Sequence, residues 1–349
     1  MSHLRMPRCF TRIVALTFFL AGILTVLSSR AVAQYQLTNL VSNQVGAANH
    51  TDPLLVNAWG LAYGPSGAFW IADNGSGWST LYNGNGVKQG LQVIVPAAAG
   101  GNGPGTPTGI VFNGSQDFQV EGWASIFLFA TLDGTISGWA PQSNPNAAIV
   151  AVTIPGAVYT GLAVTGNASG NFLFAADVAN NKVDMFDGTF NLVTSFTDTT
   201  IPVGFAPFGI QDFGGLLYIS FASTSGAAGG YVDVFSEGGV LLKQLVKGSP
   251  LNQPWGFAIA PRNFGTLSNS LLVSNNTNSG TINAFNSVTG QFIGTVKDST
   301  GKAIHIDQLW GIEFGGGSAS NGAKNHLYFT AGPDNNLAGT FGRIVPVSE

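Results

Sequence analysis

The chain carries one cysteine in 349 residues, Cys9. A lone thiol near the N-terminus excludes a disulfide framework, a cysteine-based metal site and chemistry built on paired thiols. Charge is also scarce: 9% of residues are charged, and 13 Lys and Arg are outnumbered by 17 Asp and Glu, for a net charge of −4. Such a chain has no basic footprint with which to neutralise phosphates, so nucleic acid is excluded as a partner. No Gly-x-Ser-x-Gly elbow, Walker loop, Cys–His pair or His-rich metal motif occurs. The local signatures of serine hydrolases, P-loop enzymes and thiol enzymes are therefore missing.

Long apolar runs are missing too, save one at residues 13–27. Arg5, Arg8 and Arg12 precede it, and the small residues Ala31, Val32 and Ala33 follow it. This is the pattern of a secretory leader over residues 1–33, and the run is short for a membrane-spanning helix. The expected product begins near Gln34, is not inserted in a membrane, and is periplasmic or extracellular. Cys9, Arg5, Arg8, Arg12 and Arg30 leave with the leader, so the remainder is more acidic still. What is abundant is apolar and turn-forming: 45% hydrophobic residues and 48 glycines. That is ample for a core and unlike a disordered chain.

The pattern is a repeat. Residues 253–296 hold four short runs rich in β-branched and aromatic residues, separated by Gly, Asn, Ser and Pro, which read as four antiparallel strands. Four strands in about 45 residues is the size of one propeller blade. A residue followed by glycine marks the start of each unit: Trp59-Gly60, Thr108-Gly109, Thr160-Gly161, Phe208-Gly209, Trp255-Gly256 and Trp310-Gly311. In the third strand an aliphatic residue precedes an aromatic by three: Ile136 and Trp139, Val183 and Phe186, Val232 and Phe235, Ile282 and Phe285. Positions three apart on a strand face opposite ways, so these strands are apolar on both faces and require neighbours on both. The expected fold is all-β: a six-bladed β-propeller of four-stranded antiparallel blades, one domain over residues 34–349. No linker or charge run breaks the series, and a monomer is expected.

The sixth unit offers only three strands, at 311–314, 326–330 and 340–345. The run at 35–41 has no unit of its own. It is predicted to supply the outer strand of blade 6, latching the ring with both chain ends.

Several segments carry a resemblance: Asn57-Ala58-Trp59-Gly60-Leu61-Ala62, Thr106-Pro107-Thr108-Gly109-Ile110-Val111-Phe112-Asn113-Gly114, Asp133-Gly134-Thr135-Ile136-Ser137-Gly138-Trp139 and Leu327-Tyr328-Phe329-Thr330-Ala331-Gly332-Pro333. Together they resemble a family of exported bacterial proteins associated with PEP-CTERM sorting and related to NHL-type propellers. The resemblance covers nearly all of residues 34–349 and implies the same fold, with no activity attached. Many members end in a Pro-Glu-Pro motif, an apolar helix and basic residues. This sequence ends Pro346-Val347-Ser348-Glu349, so sorting by that route is not expected.

Candidate sites follow from propeller geometry. Loops leading into first strands and loops joining second to third strands gather on one face. The latter begin with Asp73, Asp133, Asp177, Asn275 with Asn276, and Asp334. One reading is a ring of oxygen ligands, with Ca²⁺ as the one candidate cofactor, since hard cations take several oxygens. The other is that each side chain starts its own turn by accepting from nearby backbone N–H groups. Trp59, Trp255 and Trp310, with Asn276, are the ligand-binding candidates; the competing role for the indoles is to wedge blades apart. His305 and Asp307, just before Trp310, are the catalytic candidates, as a general base acting on an ester or lactone, and a salt bridge at a strand end explains them as well. Two functions remain: a non-catalytic exported propeller binding a protein or a glycan, or a Ca²⁺-dependent hydrolase or lactonase with a channel-mouth site.

Overall fold

The third strands of blades 2 to 5 each carry an aliphatic and an aromatic residue three apart, and in the structure the two serve different cores. Trp139 packs between blades 1 and 2 and Ile136 between blades 2 and 3. Phe186 and Val183, Phe235 and Val232, and Phe285 and Ile282 repeat the arrangement around the ring. In these four blades the aromatic faces the preceding blade and the aliphatic the following one; in blade 6 the order is reversed, with Phe341 toward blade 1 and Ile344 toward blade 5. With the cluster between blades 6 and 1 around Phe69, Tyr82 and Phe341, the inter-blade cores close a circle.

The protein is described from a computed structural model covering residues 1–3, 35–99, 101 and 103–347. The expected leader, residues 1–33, lies outside the described residues beyond residue 3. Blade 1 comprises Ala58–Ala62, Phe69–Asp73, Trp78–Tyr82 and Lys88–Ile94, and blade 2 comprises Pro107–Phe112, Phe127–Thr131, Thr135–Trp139 and Ile149–Thr153. Blade 3 is built from Tyr159–Asn167, Gly170–Asp177, Lys182–Asp187 and Leu192–Phe196, and blade 4 from Phe205–Asp212, Leu216–Ser223, Tyr231–Ser236 and Leu241–Lys247. Blade 5 is Pro254–Ile259, Leu271–Asn275, Ile282–Phe285 and Phe292–Thr295. Blade 6 takes Leu309–Phe314, Leu327–Ala331 and Thr340–Pro346 from the C-terminal end of the chain and Tyr35–Ser42 from the N-terminal part.

The latch is antiparallel, with Tyr35 opposite Pro346 and Ser42 opposite Thr340. It is anchored beyond its own ladder. The Tyr35 hydroxyl donates to the Phe264 carbonyl at 2.7 Å, and the Tyr35 N–H donates to the Lys297 carbonyl at 2.9 Å. Burial pushes the Tyr35 phenol up to about 12. No helix among the described residues is long and apolar enough to cross a membrane.

At most blade starts crowding at the axis requires the glycine. A Cβ on Gly60 would lie 2.6 Å from the Thr108 carbonyl oxygen, and one on Gly256 would lie 2.7 Å from that of Trp310. Each of these carbonyls belongs to the next blade. At Gly209 the clash with the Trp255 carbonyl would be closer still, whereas at Gly161 the Phe208 carbonyl stands off at 3.1 Å. Hydroxyls reinforce the same seams. Ser220, Ser274 and Thr330 accept from the N–H groups of Gly209, Gly256 and Gly311 at 2.9, 2.8 and 2.9 Å. Ser274 and Thr330 also donate to the carbonyls of Trp310 and Trp59, one blade further on. Thr160 donates to the Phe208 carbonyl at 2.7 Å in the same sense. Buried polar groups need such partners, since an unmet one costs about 1–3 kcal/mol.

Candidate functional site

Where the residue before the blade-start glycine is aromatic, its ring joins the others at the axis. Trp59 stacks on Trp310 with ring centroids 3.6 Å apart, and Trp255 meets both edge-on at 6.2 and 5.8 Å. Phe208 completes the group from blade 4. The three indoles are 7%, 8% and 3% exposed, so they present no free ring face to a flat ligand. They do not wedge neighbouring blades either: the inter-blade cores are separate clusters, and these rings form their own. They plug the channel on the loop-rich face. Two indole N–H groups fix the plug: Trp255 donates to the Thr160 carbonyl across the axis at 2.9 Å, and Trp310 donates to Asn57 Oδ1 at 3.2 Å.

The side chains of the second-to-third-strand loops turn to local donors. Asp177 accepts from the N–H groups of Val158 and Asn180 at 3.1 and 3.3 Å and from the Asn180 side-chain amide at 2.7 Å. Asp133 accepts from the Ala98 N–H at 2.7 Å and from the hydroxyls of Thr131 and Thr135. Asp73 is fully buried, accepts from the Thr80 N–H at 3.0 Å, and has its carboxyl pushed well up by burial. Asn275 accepts from the Asn252 N–H at 3.0 Å and donates to the Pro250 carbonyl at 2.8 Å. Asn276 donates to the Leu309 carbonyl at 3.2 Å, tying blade 5 to the start of blade 6, as Asn74 ties blade 1 to Pro107. Among the described residues no three His, Cys, Asp or Glu side chains come together to hold a metal ion. Of the two readings of these side chains, the contacts are those of the turn role, each oxygen accepting in its own turn.

His305, Asp307 and Asp334 do come together. They line one pocket of about 370 Å³ between the lead-in to blade 6 and the latch, away from the channel axis. His305 Nδ1 lies 2.8 Å from the Ser279 hydroxyl rather than against a carboxylate. Asp307 Oδ2 accepts from the Asp334 N–H at 3.0 Å, and its Oδ1 is buried without a partner. The geometry orders a loop and leaves the imidazole unsupported by an acid.

One surface feature escaped the repeat pattern. Between the first and second strands of blade 2 the chain inserts a hairpin, Gln119–Val120 paired with Trp123–Ala124. Its turn residues, Glu121 and Gly122, both have positive φ, 50° and 83°, the geometry of a type I′ turn. Val120 is buried and its carbonyl accepts from the Ser143 hydroxyl at 3.0 Å, which pins the hairpin. Trp123 on the other side is 51% exposed. It stands over a groove of about 490 Å³ whose walls include Asn113, Ser115, Gln116 and Gln142. The sequence signal was present: blade 2 runs longer between its first two strands than its neighbours do, and Glu-Gly followed by Trp marks the turn.

No protein-family model matches the chain. The protein R648 of Acanthamoeba polyphaga mimivirus is 31% identical over 339 residues, covering 90% of this chain and 81% of that protein. A second mimivirus protein, L690, is 28% identical and covers 90% of this chain and 87% of its own length. Among solved structures, a gluconolactonase from Xanthomonas campestris superposes with a TM-score of 0.54 at 12% identity, covering 84% of this chain and 86% of that one. A streptogramin B lyase superposes with a TM-score of 0.53 at 11% identity, covering 90% and 97%. These structural likenesses show the fold, a six-bladed propeller. On identity and coverage together, the chain belongs to the propeller family that includes mimivirus protein R648.

Proposed function

We propose that the protein is an exported, non-catalytic binding propeller that takes a glycan in the groove beneath Trp123. The exposed indole carries this reading. A large aromatic left half in water is a contact residue in waiting, apolar on its face and able to donate at its edge. Sugar rings offer an apolar C–H face rimmed by hydroxyls. The groove pairs the Trp123 face with the side-chain amides of Gln116 and Gln142, each able to donate and accept. Export to the periplasm or beyond rests on the leader pattern at residues 1–33. A panel of soluble oligosaccharides titrated against tryptophan fluorescence tests the reading. Binding by at least one class, lost in Trp123→Ala with an unchanged melting curve, is the expected result. A blank panel, or binding indifferent to Trp123→Ala, refutes it.

The second reading, a hydrolase acting on esters or lactones, draws on the pocket shared by His305, Asp307 and Asp334. Turnover of a simple lactone or aryl ester that vanishes in His305→Ala would put it first.

A further inference from the structure

Beyond the aromatic plug the channel is open, and its walls are chemically uneven. Three adjoining spaces of about 30, 150 and 270 Å³ all have Gln211 and Glu313 in their walls. Blades 2, 3 and 5 contribute apolar side chains there, such as Phe112, Val164 and Ile259. Titratable groups come from the others: Tyr63 from blade 1, Asp212 from blade 4 and Glu313 from blade 6, with no Lys, Arg or His among the lining residues. Glu237 stands beside Asp212 and adds to the negative charge.

Of these groups Glu313 lacks any visible structural task. The Tyr63 hydroxyl donates to the Phe314 carbonyl at 2.8 Å, the Gly215 N–H donates to Asp212 at 3.0 Å, and the Thr165 hydroxyl donates to Glu237 at 2.9 Å. The Glu313 carboxylate accepts no hydrogen bond from a described residue, and burial alone pushes it up to about 8. The surface it keeps faces the channel, walled by first strands from all round the ring. Near neutral pH this carboxyl therefore holds its proton, and its charged form is disfavoured unless a cation completes it.

We propose that the channel binds an organic ammonium ion, its charged head against Glu313 and its apolar stem toward the mouth lined by Tyr63, Phe213 and Phe314. An inorganic cation of the calcium type would want several oxygens, and here the Tyr63 hydroxyl and the Asp212 carboxylate already have partners, while apart from Gln211 the rest of the wall is aliphatic and aromatic. Glu313 supplies the opposite charge, and the aromatic and aliphatic wall toward the mouth receives the stem. This site is separate from the Trp123 groove and does not depend on the glycan reading.

The probe is n-butylammonium chloride, with sodium chloride, calcium chloride and n-butanol as controls, read by calorimetry and by melting temperature. Wild-type protein is expected to bind n-butylammonium more tightly at pH 9 than at pH 7 and to be stabilised by it. Glu313→Gln is expected to weaken binding at least tenfold, and Trp123→Ala to leave it unchanged. Titrations of wild type near pH 7.5 in two buffers of different ionisation enthalpy should show proton release on binding, a test that needs no variant. An equal response to n-butanol, a larger one to calcium, no response to any probe, no proton release, or full binding in Glu313→Gln would each overturn the proposal.

Discussion

Substituting alanine for the blade-start glycines should produce a graded series set by distance alone. None of Gly60, Gly161, Gly209 and Gly256 has a positive φ, so backbone strain does not enter. At Gly209 the added carbon falls far inside 3.0 Å of the Trp255 carbonyl oxygen, a separation below which real Cβ atoms are essentially never found. One of two inner strands must then yield by about 1 Å in an interior packed as densely as an organic crystal. Overpacking of that order costs about 3 kcal/mol or more. At Gly161 the nearest backbone atoms are 3.1 Å away, and a shift of a few tenths of an ångström relieves the contact. Alanine also stiffens the unfolded chain, a gain of about 0.4–1 kcal/mol that offsets the smaller clash. Gly161→Ala should therefore fall within about 1 kcal/mol of wild type. Gly60→Ala and Gly256→Ala, at 2.6 and 2.7 Å, should lie between the extremes. Urea unfolding of the four variants gives the order directly. If Gly161→Ala proved as damaging as Gly209→Ala, the backbone seams would not be what these glycines serve.

Three further outcomes are expected. Trp255→Ala should cost about 3–5 kcal/mol by denaturant titration, as a large buried ring removed from a packed cluster. Trp255→Phe should cost less, since it keeps a ring in the plug and strands only the Thr160 carbonyl; similar losses in both would mean the hydrogen bond dominates. EDTA should leave the melting temperature unchanged and Asp177→Asn should be within about 1 kcal/mol of wild type, because an amide oxygen still accepts from the Val158 and Asn180 N–H groups. A Ca²⁺-dependent shift lost in Asp177→Asn would reverse that assignment. Burial pushes Glu313 and Asp233 each up to about 8. The folded state therefore holds protons that the unfolded state has released between the usual carboxylate range and pH 8. Each such group makes stability fall as pH rises through that window, by at most about 1.4 kcal/mol per pH unit. Melting curves from pH 5 to 8.5 should slope downward, and less steeply in Glu313→Gln; an identical slope in the variant would show that Glu313 does not titrate there.

The blades were legible because their evidence is local. The residue-glycine pairs, the aliphatic-aromatic pairs three apart and the missing strand of blade 6 all lie within single repeats, and each has its place in the ring. The plug was not legible. Trp59, Phe208, Trp255 and Trp310 lie in separate repeats, and only the direction of four first strands around an axis decides that their rings converge. The same pattern in one blade fits a wedge equally well. The turn carboxylates were ambiguous for a related reason: Asp133 reaches Ala98 and Asp177 reaches Val158, contacts set by how one loop lies against another. Trp123 breaks the repeat, so the recurrence that reveals the blades does not reveal it.

The latch has a consequence for the order in which the molecule can be made. Tyr35 pairs with Pro346, so the first described strand must wait for the last. Blades 1 to 5 each draw their four strands from one continuous stretch and can form as the chain emerges. Blade 6 cannot, and until it forms, the strand at residues 35–42 is a bare edge open to pairing with another chain. Bringing its partners together closes almost the entire polypeptide into one loop, a contact of high sequence separation that slows folding. For a chain released vectorially, N-terminus first, the moment of ring closure is set by arrival of the final blade, and whatever shields the waiting strand until then governs the yield of folded protein.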